Sequence, residues 1–203
     1  MKRRRKSRCH PAAFSLIELL IVAALLIVLT TMYWGSNAGT RRQKQTAVCQ
    51  QNLQKIYLAL QIYANDREGK FPEVLGARTS EQALAVLVPR YTIDTSVFIC
   101  PSSGDSSLPA GESFSKRRIS YAYYMGRRAT DAHEALMSDR QVDNQAKAAG
   151  QYAFSSTGKA PGNNHQKDGG NFLFCDGHTE STPAAVPFSI GLTQGVVLLN
   201  PKP

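Results

Sequence analysis

The sequence lacks the motifs by which many enzymes are recognised. It holds no glycine-rich phosphate loop, no nucleophile–base pair and no set of His and Cys residues at zinc-ligand spacing. Acidic residues are few, 15 in 203, and none form an Asp-x-Asp cluster of the kind that binds calcium. These absences favour a structural protein over an enzyme, and we expect no cofactor.

Positive charge is unevenly distributed. The formal net charge is +9, but six cations fall within the first eight residues: Lys2, Arg3, Arg4, Arg5, Lys6 and Arg8. A cluster beside an apolar segment is typical of the side of a membrane protein that stays in the cytoplasm. The remaining charge is ordinary for a small domain, so nucleic acid is not an expected partner.

Cysteine is scarce, with four residues in the chain. Cys9 lies in the basic leader, whereas Cys49, Cys100 and Cys175 lie in the part expected to be exported. An oxidising compartment would allow one disulfide among these three and leave one thiol over. The three pairings stay open, as does the alternative of three small buried side chains without a bond.

An apolar run follows the leader and extends over residues 14–34, interrupted near its start by Glu18. About 21 helical residues, at a rise of about 1.5 Å each, match a hydrocarbon layer of about 30 Å. A cleaved secretory signal fits less well, because the run is long and no small-residue cleavage site follows it. The run predicts a transmembrane helix.

The junction of leader and run carries a family resemblance. Ala13 followed by Phe14-Ser15-Leu16-Ile17-Glu18 closely resembles the class III signal of type IV prepilins and type II secretion pseudopilins. The resemblance implies cleavage between Ala13 and Phe14 by prepilin peptidase, N-methylation of Phe14, and pairing of Glu18 with the amino terminus of a neighbouring subunit. The family has Gly before the cut, where this chain has Ala13. A plain uncleaved anchor is the alternative.

Beyond the run, Gly35 and Gly39 predict a bend. Helical spacing then returns and ends in a Gly and Pro segment near residue 70. The apolar residues of this second helix form one stripe: Cys49, Leu53, Ile56, Tyr57, Leu60 and Ala64. The stripe needs a globular partner, and from it Cys49 could reach a head cysteine such as Cys100.

The remainder predicts a small head. A short helix follows Thr79, residues 119–125 and 135–138 have β composition, and residues 140–164 are mostly loop. Residues 171–180 predict a hairpin closed by Asp176-Gly177, and residues 196–199 an edge strand. The predicted fold class is α+β: a long N-terminal helix, with a membrane half and an amphipathic half, packed on an antiparallel-sheet head. Its parts are a leader (1–13), transmembrane and assembly helix (14–34), helix continuation (35–70) and periplasmic head (71–203).

The end of the head carries a second resemblance. His165, ten residues and Asp176-Gly177 resemble the His, nine residues and Asp-Gly of a pseudopilin-like subgroup. We expect a structural role, with His165 hydrogen-bonded to Asp176 to hold the loop over the hairpin. Two alternatives are a hydrolase that uses these two residues and a calcium site with Asp168 or Asp176 as ligands.

The resemblance implies a pseudopilin or pilin-like structural subunit, not an enzyme, of a type II secretion-type or type IV pilus-like filament. Its implied partners are prepilin peptidase, other pseudopilins or further copies of itself, and an inner-membrane assembly platform. The implied location is the inner membrane, crossed once, with a cytoplasmic amino terminus and a periplasmic head. The alternative is a minor pilin whose head binds DNA or a surface ligand through Arg117, Arg118, Arg127 and Arg128. Together with Tyr121 and Tyr123 these arginines suggest a nucleic-acid stacking platform, but a core-facing side of a sheet is the favoured interpretation of the tyrosines.

Overall fold

The computed structural model describes residues 15–35, 37–106 and 113–203. The predicted cleavage site, Ala13 and Phe14, lies outside these residues. The chain divides into two compact units, Met1–Arg41 and Arg42–Pro203.

Three α-helices occur in the described ranges: α1 (Leu16–Gly35), α2 (Asn37–Asn65) and α3 (Ser80–Leu84). Short 3-10 turns cover Ala85–Leu87, Thr95–Phe98 and Phe114–Lys116. The short helix predicted after Thr79 is present as α3, but Thr79 makes no side-chain capping bond. Gln82 instead accepts a hydrogen bond from the backbone of Arg78.

Among the residues that the structure describes, five antiparallel strands form one sheet in the order β4-β3-β2-β1-β5. Their bounds are β1 (Tyr121–Met125), β2 (Ala135–Asp139), β3 (Gly170–Phe174), β4 (Thr179–Thr182) and β5 (Val197–Leu199). The predicted β character of residues 119–125 and 135–138 is confirmed, and the two strands pair with each other. The predicted hairpin of β3 and β4 and the predicted edge strand β5 are confirmed as well.

Both faces of the sheet are covered, because successive side chains of a strand point to opposite sides. Tyr121 and Tyr123 of β1 pack in one core, and Ala122 and Tyr124 in the other. The first core contains the predicted apolar stripe of α2, whose Cys49, Leu53, Ile56 and Leu60 are fully buried. The second is closed by residues from irregular segments: Ala153, Phe154, Ala184, Val186 and Ile190.

The predicted long helix with a membrane half is wrong. The chain forms separate helices on the two sides of residue 36, which lies outside the described residues. Across the described residues, no helix combines the length and apolar character needed to span a membrane. This finding contradicts both the predicted fold class and the predicted single-pass inner-membrane location.

Polar residues within the apolar run explain why the predicted membrane-spanning helix is wrong. Glu18 lies in the first turn of α1, and Thr30 and Thr31 follow residue 29. The unbroken stretch, residues 19–29, measures about 16 Å at a rise of about 1.5 Å per residue. That is roughly half the thickness of a hydrocarbon layer of about 30 Å. Both threonine hydroxyls bond back to carbonyls of their own helix, Thr30 to Ile27 at 2.9 Å and Thr31 to Val28 at 2.8 Å.

Candidate functional site

A buried polar cluster lies where α2 meets the sheet. Asp139 ends β2, and Asn171 lies in the neighbouring strand β3, so the sheet register places them side by side. His165 comes from the loop before β3. Cys49 comes from the buried face of α2, and Cys100 follows the 3-10 turn that ends at Phe98.

A disulfide joins Cys49 to Cys100, with the two Cα atoms 5.4 Å apart. Both cysteines are completely buried. The backbone N–H of Cys100 donates to the Ser120 hydroxyl at 2.9 Å, which ties this segment to the residue preceding β1. The bond therefore connects α2 to the head, leaving Cys175 as a buried thiol. Burial raises the pKa of Cys175 to about 12, so the thiol is protonated and unreactive at neutral pH.

The carboxylate of Asp139 is fully buried and accepts several hydrogen bonds. Its Oδ1 accepts from the side-chain amide of Asn164 at 2.7 Å. Its Oδ2 accepts from the backbone N–H of Asn171 at 2.8 Å and from the Asn171 side chain at 3.0 Å. A buried charge is tolerated only with such partners, so Asp139 depends on both asparagines.

His165 faces the same carboxylate, with Nε2 3.2 Å from Oδ2 of Asp139. Burial alone would lower the pKa of His165. The hydrogen bond and negative charge of Asp139, helped by the charge of Asp168, outweigh burial and raise the pKa. The other ring nitrogen, Nδ1, lies 3.5 Å from the hydroxyl of Thr46 on α2.

Four side chains with metal-ligand chemistry converge at this point: Cys49, Cys100, Asp139 and His165. Their ligand atoms all lie within 4.8 Å of one another. Within the described ranges this is the only such group of three or more His, Cys, Asp or Glu residues. With the disulfide formed, the two sulfurs are not available as thiolate ligands.

The predicted motif residues do not act together. His165 has Asp139 as its acidic partner, whereas Asp176 accepts hydrogen bonds from the backbone N–H and ring Nδ1 of His178. Burial opposes ionisation of Asp176, but the bonds from His178 outweigh it and lower the pKa of the Asp176 carboxyl. The expected bond between His165 and Asp176 is therefore replaced by two separate pairs.

Gly177 has a steric role in the turn. Its φ is +91°, and a Cβ at this position would overlap the ring of Tyr57 on α2. The Tyr57 hydroxyl donates to the carbonyl of Cys175 at 2.9 Å, so the turn is packed directly on the helix.

The two carboxylates considered as calcium ligands, Asp168 and Asp176, each have a different partner. Asp168 forms a surface ion pair with Arg42 at 3.2 Å, and Asp176 pairs with His178. Neither carboxylate belongs to the converging group of metal-ligand residues found among the described residues.

The candidate nucleic-acid residues are largely internal. Tyr121 and Tyr123 are fully buried in the sheet, as expected for a core face. Arg117 and Arg127 are buried, with Arg127 paired to Glu134 at 2.7 Å. Arg118 pairs with the buried carboxylate of Asp105 at 3.0 Å. These side chains hold the head together instead of presenting a stacking platform.

Sequence reasoning missed Asp139, Asn164 and Asn171. Asp139 is the last residue of β2, two positions after the apolar residues Ala135, Leu136 and Met137, and a carboxylate at the end of a buried strand is a usable signal. The two asparagines had no distinguishing pattern, since their partners come from other strands and loops.

Comparison with known proteins found no match for this chain among protein-family models, curated proteins or solved structures.

The predicted assembly residue, Glu18, lies in the first turn of α1 and is exposed. The large apolar side chains around it are exposed as well, from 51% for Val22 to 80% for Leu16. Within Leu16–Gly35, Glu18 is the single charged residue, and it lies near one end of an apolar helical surface.

Proposed function

We propose that this chain is a pilin-like structural subunit that assembles with further copies of itself, or with related subunits, through α1. The observation that carries the proposal is the apolar surface of α1. Exposed large apolar side chains occur along the helix and around it: Leu16, Ile17, Leu19, Leu20, Ile21, Val22, Leu25, Leu26, Ile27, Val28, Leu29 and Met32. A helix that is apolar on all sides is normally covered in its working state.

Glu18 places a single carboxylate near one end of this apolar surface. In a bundle of such helices, an isolated carboxylate requires a cationic partner, because an unpaired charge among apolar side chains costs several kcal/mol. The resemblance of residues 13–18 to the prepilin signal supplies that partner, the amino group of Phe14 on a neighbouring subunit after cleavage. Filament assembly thus uses both features of α1, the apolar surface and the single charge.

The head is suited to a structural role. A disulfide anchors α2 to the head, and the sheet is packed on both faces. The conspicuous buried polar groups, Asp139 and His165, are paired with each other. A filament subunit requires a rigid head together with a helix that binds neighbouring subunits.

Assembly is tested by electron microscopy and sedimentation of the purified mature chain. We expect wild-type protein to form filaments and Glu18→Ala and Glu18→Gln to reduce the assembled fraction at least tenfold. The matched control is Glu73→Ala, which removes an exposed carboxylate from the head and is expected to assemble as wild type does. Monomeric wild type, or normal filaments from both Glu18 variants, would contradict the proposal.

Processing is tested by the intact mass of the chain co-expressed with a prepilin peptidase. We expect loss of residues 1–13 and addition of one methyl group to Phe14. Ala13→Gly is expected to be processed faster, because the related signals have Gly before the cut. A mass that still includes residues 1–13 in both chains would show that this part of the resemblance fails, whatever the assembly assay reports.

A further inference from the structure

We propose that the Cys49, Cys100, Asp139 and His165 cluster is a zinc site that opens when the disulfide is reduced. The inference does not depend on filament assembly. It rests on the positions of four ligand-type atoms, on the residues that hold them, and on the surface next to them.

Two of the distances between the ligand atoms already match those of a tetrahedral zinc site. Zinc bonds of about 2.3 Å to sulfur and about 2.0–2.2 Å to nitrogen or oxygen place sulfur and nitrogen about 3.5 Å apart, and nitrogen and oxygen about 3.4 Å apart. The Cys100 Sγ to His165 Nε2 distance is 3.5 Å. The His165 Nε2 to Asp139 Oδ2 distance is 3.2 Å.

The main rearrangement concerns the two sulfurs. In a tetrahedral site they lie about 3.8 Å apart, so they must separate once their covalent bond is broken. Reduction by a phosphine supplies two electrons, while water supplies two protons and the oxygen of the resulting phosphine oxide, and the disulfide becomes two thiols. Zinc then replaces the two thiol protons, which pass to solvent together with any proton on His165 Nε2.

The surrounding residues orient the ligands, as outer-shell groups do in structural metal sites. Asn164 and Asn171 hold the Asp139 carboxylate by three hydrogen bonds. The Thr46 hydroxyl lies on the Nδ1 side of His165 and can accept its N–H, which leaves Nε2 as the metal-binding atom. The same hydroxyl is fixed by donating to the Arg42 carbonyl at 3.1 Å.

The charges are those of a closed structural site. Two thiolates and one carboxylate carry −3 against +2 on zinc, and His165 binds in its neutral form. The excess negative charge is moderated by the amide donors on Asp139. All four ligand residues are at least nine-tenths buried, so water has little access to a bound ion.

The cluster lies close to the surface at Thr46. This residue lines a surface depression on α2 together with Arg42, Gln43, Gln50 and Asp168. Its hydroxyl lies 3.5 Å from Nδ1 of His165, so one side chain separates the imidazole ring from that depression.

The test uses the full chain and zinc chloride. Zinc binding is measured by competition with a chromophoric chelator, before and after reduction by a phosphine. We expect one zinc per reduced chain and at least 100-fold weaker binding by the oxidised chain. Cobalt in place of zinc is expected to give intense visible bands of a tetrahedral centre and a thiolate charge-transfer band.

Two variants test the proposed nitrogen and oxygen ligands. His165→Ala and Asp139→Asn are each expected to weaken zinc binding by the reduced chain at least tenfold. Asp139→Asn keeps the size of the side chain, so it serves if His165→Ala does not fold. The matched controls are His178→Ala and Cys175→Ala, which leave the cluster intact and are expected to bind as wild type does.

Several outcomes would overturn the proposal. These are equal binding by the oxidised and reduced chains, unchanged binding by the folded ligand variants, or the weak spectrum of octahedral cobalt. A reduced wild-type chain that loses its near-ultraviolet circular dichroism and does not recover it with zinc would overturn it too, because the site must exist in the folded head.

Discussion

Nε2 of His165 lies 3.2 Å from Oδ2 of Asp139, and the two side chains are 5% and 0% exposed. The pair connects the loop before β3 to the end of β2. The disulfide of Cys49 and Cys100 lies beside both segments, on the side of α2. We expect the contact between His165 and Asp139 to make the stability of the head sensitive to pH.

The pKa of His165 is raised in the folded chain above its ordinary value of 6.5. The folded state therefore holds the proton more tightly than the unfolded state does. Its stabilisation is fully present below about pH 6.5 and is lost as the pH rises through the folded pKa. Each tenfold difference in proton affinity is worth about 1.4 kcal/mol.

We accordingly expect the free energy of unfolding of wild type to fall more between about pH 6 and pH 8 than that of His165→Gln. Urea titrations at a series of pH values measure this difference. The control is His178→Gln, which removes an exposed histidine from the β3–β4 turn but keeps the His165–Asp139 pair, and is expected to retain the larger fall that distinguishes wild type from His165→Gln. Identical pH profiles for wild type and His165→Gln would contradict the assignment.

Asp139→Ala is expected to destabilise the head by about 3–5 kcal/mol. The change leaves His165 and the side chains of Asn164 and Asn171 without their buried acceptor. Chemical denaturation measures the loss. Asp168→Ala is the matched control, since it removes a half-exposed carboxylate paired with Arg42 and should cost about 1 kcal/mol or less. Equal losses would show that burial of Asp139 has no special importance.

Replacement of both Cys49 and Cys100 by Ala is expected to cost about 4 kcal/mol. The two residues are 51 apart in sequence, and a cross-link over a loop of that length restricts the unfolded chain by about this amount. Thermal and urea unfolding of oxidised wild type against the double variant provide the measurement. Cys175→Ala, which keeps the disulfide, should lose much less. A double variant as stable as wild type would mean that the bond adds little.

Gly177→Ala is expected to cost about 2 kcal/mol or more, because the added Cβ meets both an unfavourable φ and the ring of Tyr57. Gly76→Ala separates these effects, since Gly76 has a similar φ of +78° with open space around it. It should cost about 1–2 kcal/mol. Comparison of the two unfolding free energies isolates the contact with Tyr57, and a Gly177 variant that costs no more than the Gly76 variant would argue against it.

Local patterns predicted the elements that depend on neighbouring residues. The hairpin of β3 and β4 follows from an Asp-Gly turn between two β-type segments, and the buried stripe of α2 follows from helical spacing. The prediction of a transmembrane helix from the apolar run is wrong, because it treats residues 14–34 as one continuous apolar helix of membrane length. The helix bounds and the polar residues at Glu18, Thr30 and Thr31 limit the unbroken apolar stretch.

The sequence by itself thus determined the apolar character of α1, the stripe that buries α2, and the strands of the head, since each depends on side-chain periodicity within a short segment. Only the tertiary structure decided which residues meet in the interior. Asp139 rather than Asp176 became the partner of His165, and Cys100 rather than Cys175 joined Cys49. These choices depend on strand register and on how α2 lies against the sheet, which bring together residues far apart in the chain.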